Sequence, residues 1–88
     1  MEKVQRGMMA WSQAGHDRGK LYVIVGMNRE YVWLCDGSIR PLENPKKKKW
    51  KHVQVMKWVP KELRGREWNQ IRNEEIKRGI KNVIESRR

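Results

Sequence analysis

Lys46, Lys47, Lys48, Lys49 and Lys51 set five ammonium groups within six residues. Such a run repels itself unless phosphates or counterions lie between the charges. Trp50 interrupts it and His52 closes it. If strand geometry begins at Lys49, Trp50, His52 and Gln54 share one face and Lys51, Val53 and Val55 the other, which would stand an aromatic ring among lysines where a base could stack. Trp50 could equally close the floor of a core, since a chain with five tryptophans and no phenylalanine must use some of them for packing. A second basic cluster is Gly15, His16, Arg18, Gly19 and Lys20. Its glycines permit positive-φ turns, so backbone N–H groups could approach a phosphate beside the Arg18 and Lys20 charges. The bland alternatives are a solvated lysine loop and ordinary exposed charges.

Other chemistry finds little support. His16 stands beside Asp17, but no Ser, Cys or second carboxylate is spaced to suggest a nucleophile or a metal site. The expectation is a protein with no catalytic residues, no metal, no cofactor and no small-molecule substrate. Cys35 is the single cysteine, which excludes an intramolecular disulfide, fits a reducing compartment and reads as a small apolar strand residue. Lys and Arg number 21 against 10 acidic residues over 88 positions, a formal charge of +11. The excess is spread along the chain: residues 1–58 hold 12 basic and 5 acidic side chains, residues 59–88 hold 9 and 5. Both parts attract polyanions. No apolar run approaches the roughly 20 residues of a membrane span, and residues 1–6 lack the apolar stretch of a signal peptide. A cytoplasmic protein with no membrane partner is expected.

Positioning falls to short elements. Apolar runs at residues 8–11, 21–27 and 31–35, separated by turn residues, read as strands, with Asn28, Arg29 and Glu30 of hairpin length between the last two. Asp36-Gly37 is a turn signal. Residues 38–42 could form a short edge strand, from whose centre Pro41 is barred, and residues 53–56 a final strand. Tyr31 and Trp33 alternate with Val32 and Leu34, and core packing is the expectation for the aromatic pair. From Pro60 the period changes. Ile76, Ile80, Val83 and Ile84 lie on one helical face, so a helix is expected over about residues 66–86, preceded by a turn at 61–64. Glu67 suits its positive end, Arg87 and Arg88 its negative end. Gly79 should weaken it.

The segments Gly7-Met8-Met9-Ala10-Trp11, then Gly15-His16-Asp17-Arg18-Gly19-Lys20 leading into Leu21-Tyr22-Val23-Ile24-Val25-Gly26, then Val32-Trp33-Leu34-Cys35-Asp36-Gly37, together resemble a KOW motif. The likeness is to archaeal and eukaryotic large-subunit ribosomal proteins and to short bacterial KOW proteins, and covers about residues 7–56. Arg40-Pro41-Leu42-Glu43-Asn44-Pro45, the lysines and Lys51-His52-Val53-Gln54 also resemble the bacterial proteins. What the resemblance implies is a mainly β chain: a small SH3-like five-stranded barrel over residues 1–58, with RNA against the loop at Gly15 to Lys20 and Gly19 at the family's most constant glycine. Residues 59–88, the basic C-terminal helix appended to the barrel, lie outside the motif. The functional expectation is a non-enzymatic RNA-binding protein, with ribosomal RNA or the large ribosomal subunit as partner and ribosomal proteins as possible neighbours. Gly15, His16, Arg18, Gly19, Lys20, Arg40, Lys46 to Lys49, Trp50, Lys51 and His52 would make the contacts. The alternative is a protein-interaction module of a transcription or translation complex.

Overall fold

A computed structural model describes residues 3–87; Met1, Glu2 and the Arg88 expected at the helix end lie outside them. The chain is mainly β. Five strands, β1 (Met9–Ser12), β2 (Leu21–Met27), β3 (Tyr31–Cys35), β4 (Lys46–Lys49) and β5 (Val53–Met56), precede one helix, α1 (Asn73–Ser86). The sheet is antiparallel throughout, in the order β4-β3-β2-β1-β5. β4 and β5 are its edges and no ladder joins them among the described residues, so the sheet is open.

The fourth strand is not at residues 38–42, which form bends and a turn; the lysine tract takes its place. The Asp36 carboxylate accepts the N–H groups of Ser38 and Arg40, each at 2.8 Å, and the Asp36 N–H donates to the Arg40 carbonyl at 2.9 Å. That coil turns the chain away from β3 and leaves the β3 edge for the next extended segment. Lysine suits an edge, because its charge discourages pairing with another chain while its methylene stem covers apolar surface.

Strand alternation gives the sheet two apolar faces. On one, Met9, Leu21, Val23 and Cys35 meet Leu63, Ile71, Ile76 and Val83 from the C-terminal segment. On the other, Ala10, Tyr22, Ile24, Val32 and Leu34 form a second buried cluster, with Trp50, Val53 and Val55 against it. A register shift between Ile24 and Gly26 marks a bulge in β2. Bulges bend the bulged strand and sharpen its twist.

The helix begins seven residues later than its periodicity suggested, at Asn73. Trp68–Gln70 is a 3₁₀ turn, and Ile71 and Arg72 are extended. Tertiary contacts set this start. Ile71 is buried in the first cluster, Trp68 packs under the Arg6 guanidinium, and Asn73 accepts the Leu42 N–H at 2.8 Å. Glu74 and Glu75, not Glu67, therefore occupy the positive end, and Glu75 accepts the Arg72 N–H at 2.9 Å. Residues 61–65 form the expected turn. Ile76 and Val83 are buried, but Ile84 is 42% exposed, and Gly79 is buried where a Cβ would stand 3.3 Å from Pro60. The glycine that weakens the helix thus lets it approach the preceding segment.

Gly37 is the tightest point of this docking. Its φ is +79°, and a Cβ would lie 2.4 Å from the Asn73 carbonyl oxygen. Gly19 has φ +88° with nothing within 4 Å. In urea unfolding, Gly19→Ala should cost only the left-handed backbone penalty of about 1–2 kcal/mol. Gly37→Ala should cost clearly more, since the helix must also shift; equal destabilisation by the two would refute this account of the docking.

Candidate nucleic-acid interface

The basic loop and the lysine strand meet at one carboxylate. Asp17, 11% exposed, lies 3.0 Å from the Lys48 ammonium and 3.1 Å from that of Lys46. It also accepts hydrogen bonds from the Tyr22 hydroxyl at 2.6 Å and the Ser12 hydroxyl at 2.9 Å. Lys48 donates in addition to the Ala14 carbonyl at 2.7 Å. Burial by itself would raise the Asp17 carboxyl, but the donors from Tyr22, Lys48, Ser12 and Lys46 outweigh it and hold the group well below the usual carboxylate range. Burial, and then its hydrogen bond to the Asp17 carboxylate, push Tyr22 well above the ordinary phenol value. Asp36 repeats the pattern on a smaller scale: burial opposes its ionisation, but Lys20 at 2.5 Å and the two turn N–H groups keep it lowered.

The period of two divides the lysine tract. Lys46 and Lys48 pair in register with Leu34 and Val32, whose side chains belong to the second cluster, and turn toward Asp17. Lys47 and Lys49 pair with Trp33 and Tyr31 and stand on the other side, exposed. The Lys47 ammonium lies 4.1 Å from the Tyr31 ring centroid and 5.9 Å from that of Trp33, and the two rings are 6.4 Å apart at 56°. Neither aromatic ring joins the buried clusters, contrary to the core role expected of them; Val32 and Leu34 fill it instead. Trp33 lies over Gly26, at the bulge. The β2–β3 hairpin is held by the Asn28 side chain, which accepts the N–H groups of Glu30 and Tyr31. Between it and the end of β4, Arg29, Glu30, Tyr31, Lys49, Trp50 and Lys51 line a shallow hollow of about 370 Å³.

Trp50 does not continue a strand among the lysines: Trp50–His52 is a 3₁₀ turn. Its indole N–H donates to the Asn28 carbonyl at 2.9 Å and its ring packs on the second cluster, which ties hairpin to lysine strand. The His52 carbonyl accepts the Gln13 N–H at 2.8 Å, and Arg40 closes the Asp36 turn through its backbone. Gly15 and Gly19 both take positive φ, as the loop reading required, and His16 and Arg18 are exposed at its tip. Lys20 is spent on Asp36. Among the described residues, Arg18, Arg29, Lys47, Lys49 and Lys51 form no ion pair.

Sequence reasoning missed the central part of Asp17 and the outward facing of Tyr31, Trp33 and Arg29. The signal was present for the aromatic residues, since the aliphatic members of an alternating strand are the better core. Cys35 is buried, and that burial pushes its thiol up to about 11, so it stays protonated. No group of three or more His, Cys, Asp or Glu among the described residues is placed to hold a metal ion. Compared with protein-family models and with curated proteins, the chain matches none.

Asp17→Asn leaves the Lys48 ammonium, 8% exposed, without its counter-charge. It should cost about 3 kcal/mol at pH 7, the lower end of the range for breaking a buried pair. Because the folded carboxyl titrates below its unfolded value of about 3.9, its contribution is complete above about pH 5 and fades as pH falls below 4. Urea unfolding across that range should therefore show the gap between wild type and variant narrowing toward low pH. A gap independent of pH would exclude this electrostatic account.

Proposed function

We propose that this protein is a non-enzymatic RNA-binding protein that holds ribosomal RNA mainly through phosphates, as a ribosome-associated or ribosome-assembly component. The observation that carries the reading is the split of the lysine strand: Lys47 and Lys49 are turned outward without carboxylate partners, with Lys51 and Arg29 beside them. A line of cations on one rim, on a chain of net charge +11, neutralises a phosphate backbone and releases its counterions. Arg18 and His16 at the loop tip supply a further set of contacts. The resemblance to KOW proteins supports the same reading, with the open sheet and its bulge as an SH3-like framework. Ribosomal proteins are then its neighbours, the cytoplasm its compartment, and no cofactor is needed.

The split gives the test. Kobs for structured RNA should fall steeply with salt, and Lys47→Gln/Lys49→Gln/Lys51→Gln should reduce the log–log slope by about one for each phosphate left without its cation. Lys46→Gln/Lys48→Gln should lower stability and leave the slope nearly unchanged. A salt-independent complex, or equal reductions of slope in the two variants, would overturn the reading.

A protein-interaction module is the second reading. Trp58 is 43% exposed beside a hollow of about 480 Å³ lined by Glu62, Arg64, Asn82 and Val83, a surface that a protein neighbour could cover. Recovery of one defined partner from nuclease-treated extract, with no salt-dependent RNA affinity, would favour it.

A further inference from the structure

Beyond phosphate contact, and resting on the RNA-binding reading, we infer that the outer face of β3 and β4 is a stacking platform for unpaired nucleobases, centred on Tyr31 and Trp33. Three observations converge there. Two aromatic rings of one strand stand outside both buried clusters, 6.4 Å apart, at the end of the sheet away from the helix. The bases of a single strand present π-faces that stack on such rings whatever their sequence. The adjacent register positions are lysines, so each ring has a cation directly opposite it across the ladder: Lys49 beside Tyr31, Lys47 beside Trp33. The hollow between hairpin and β4 continues the row past Tyr31, with Arg29 and Lys51 on its walls.

Lys47 covers the Tyr31 ring at 4.1 Å in the free protein. An exposed cation–π contact of this kind is worth about two- to fivefold in an equilibrium. Stacking a base on the ring is worth about five- to a hundredfold in affinity. An arriving base therefore displaces the ammonium, and the ammonium, still tethered to its strand, is released toward the phosphate of the same nucleotide. Duplex RNA offers no free base face, so the platform selects single-stranded segments, loops or bulges.

The experiment compares, for the full chain, a short oligouridylate with an abasic oligoribonucleotide of the same length. Wild type should bind the oligouridylate about tenfold or more tightly than the abasic strand. Tyr31→Leu/Trp33→Leu should erase that ratio while retaining abasic affinity and its salt slope, which also reports that the variant is folded. Photocrosslinking of 4-thiouridine strands to wild type, mapped by mass spectrometry, should mark Tyr31 or Trp33. Equal, salt-dependent binding of both strands by wild type would overturn the platform and leave phosphate binding standing. No salt-dependent binding of either strand would overturn the RNA reading itself. Equal weakening of both strands in the variant, or crosslinks confined to other residues, would remove the site from these two rings.

Discussion

Asp17 is the constraint on which the arrangement depends. A single carboxylate collects two ammonium groups, a phenol and a hydroxyl from β1, β2 and β4. It thereby joins the edge strand β4 to the β1–β2 loop across the intervening strand β3. Asp17 and Lys48 are only slightly exposed, where Coulomb attraction exceeds its value in water but an unmatched charge is costly. The remaining lone pairs and donors are met by Tyr22, Ser12 and the Ala14 carbonyl, so the cluster closes as a satisfied network. Without an acid at this position, Lys46 and Lys48 would face each other with no counter-charge on the edge of a small sheet.

The neutralised and the free cations are neighbours in sequence. Successive strand side chains point to opposite faces, so Lys46 and Lys48 are drawn in against Asp17 while Lys47 and Lys49 are turned out beside Tyr31 and Trp33. A tract that reads as one block of charge is two sets with different partners. The inner pair is tied to Asp17; the outer pair has no carboxylate partner among the described residues. The same division applies to the glycine loop, where Lys20 is paired with Asp36 and Arg18 is not.

The C-terminal segment completes the first face of the sheet. A chain of this size buries a modest fraction of its surface, and Leu63, Ile71, Ile76 and Val83 supply much of the apolar material on that side. The close approaches differ in degree: at Gly37 a methyl group would collide with the Asn73 carbonyl oxygen, whereas at Gly79 it would only crowd the Pro60 ring. Because the helix starts over Cys35 and ends with Arg87 over Trp11, it covers β1, β2 and one end of β3 and leaves the β3–β4 rim open.

Alternating and helical hydrophobic periods in the sequence were enough to place β2, β3, β5 and the body of α1, because those patterns arise from local backbone geometry. The Asn28 hairpin, the Asp36-Gly37 turn and the positive-φ glycines of the loop were legible for the same reason. The fourth strand was not. Whether residues 38–42 or 46–49 pair with β3 depends on where the Asp36 side chain sends its hydrogen bonds, and a run of lysines has no period to betray a strand. The start of α1 was equally hidden, since Trp68 and Ile71 extend the helical pattern in sequence yet are held in other conformations by Arg6 and the sheet. Composition alone determined that the protein carries the excess positive charge that attracts polyanions. Only tertiary structure decided which cations remain free to meet one, because that depends on how far each ammonium lies from Asp17 and Asp36 across the folded sheet.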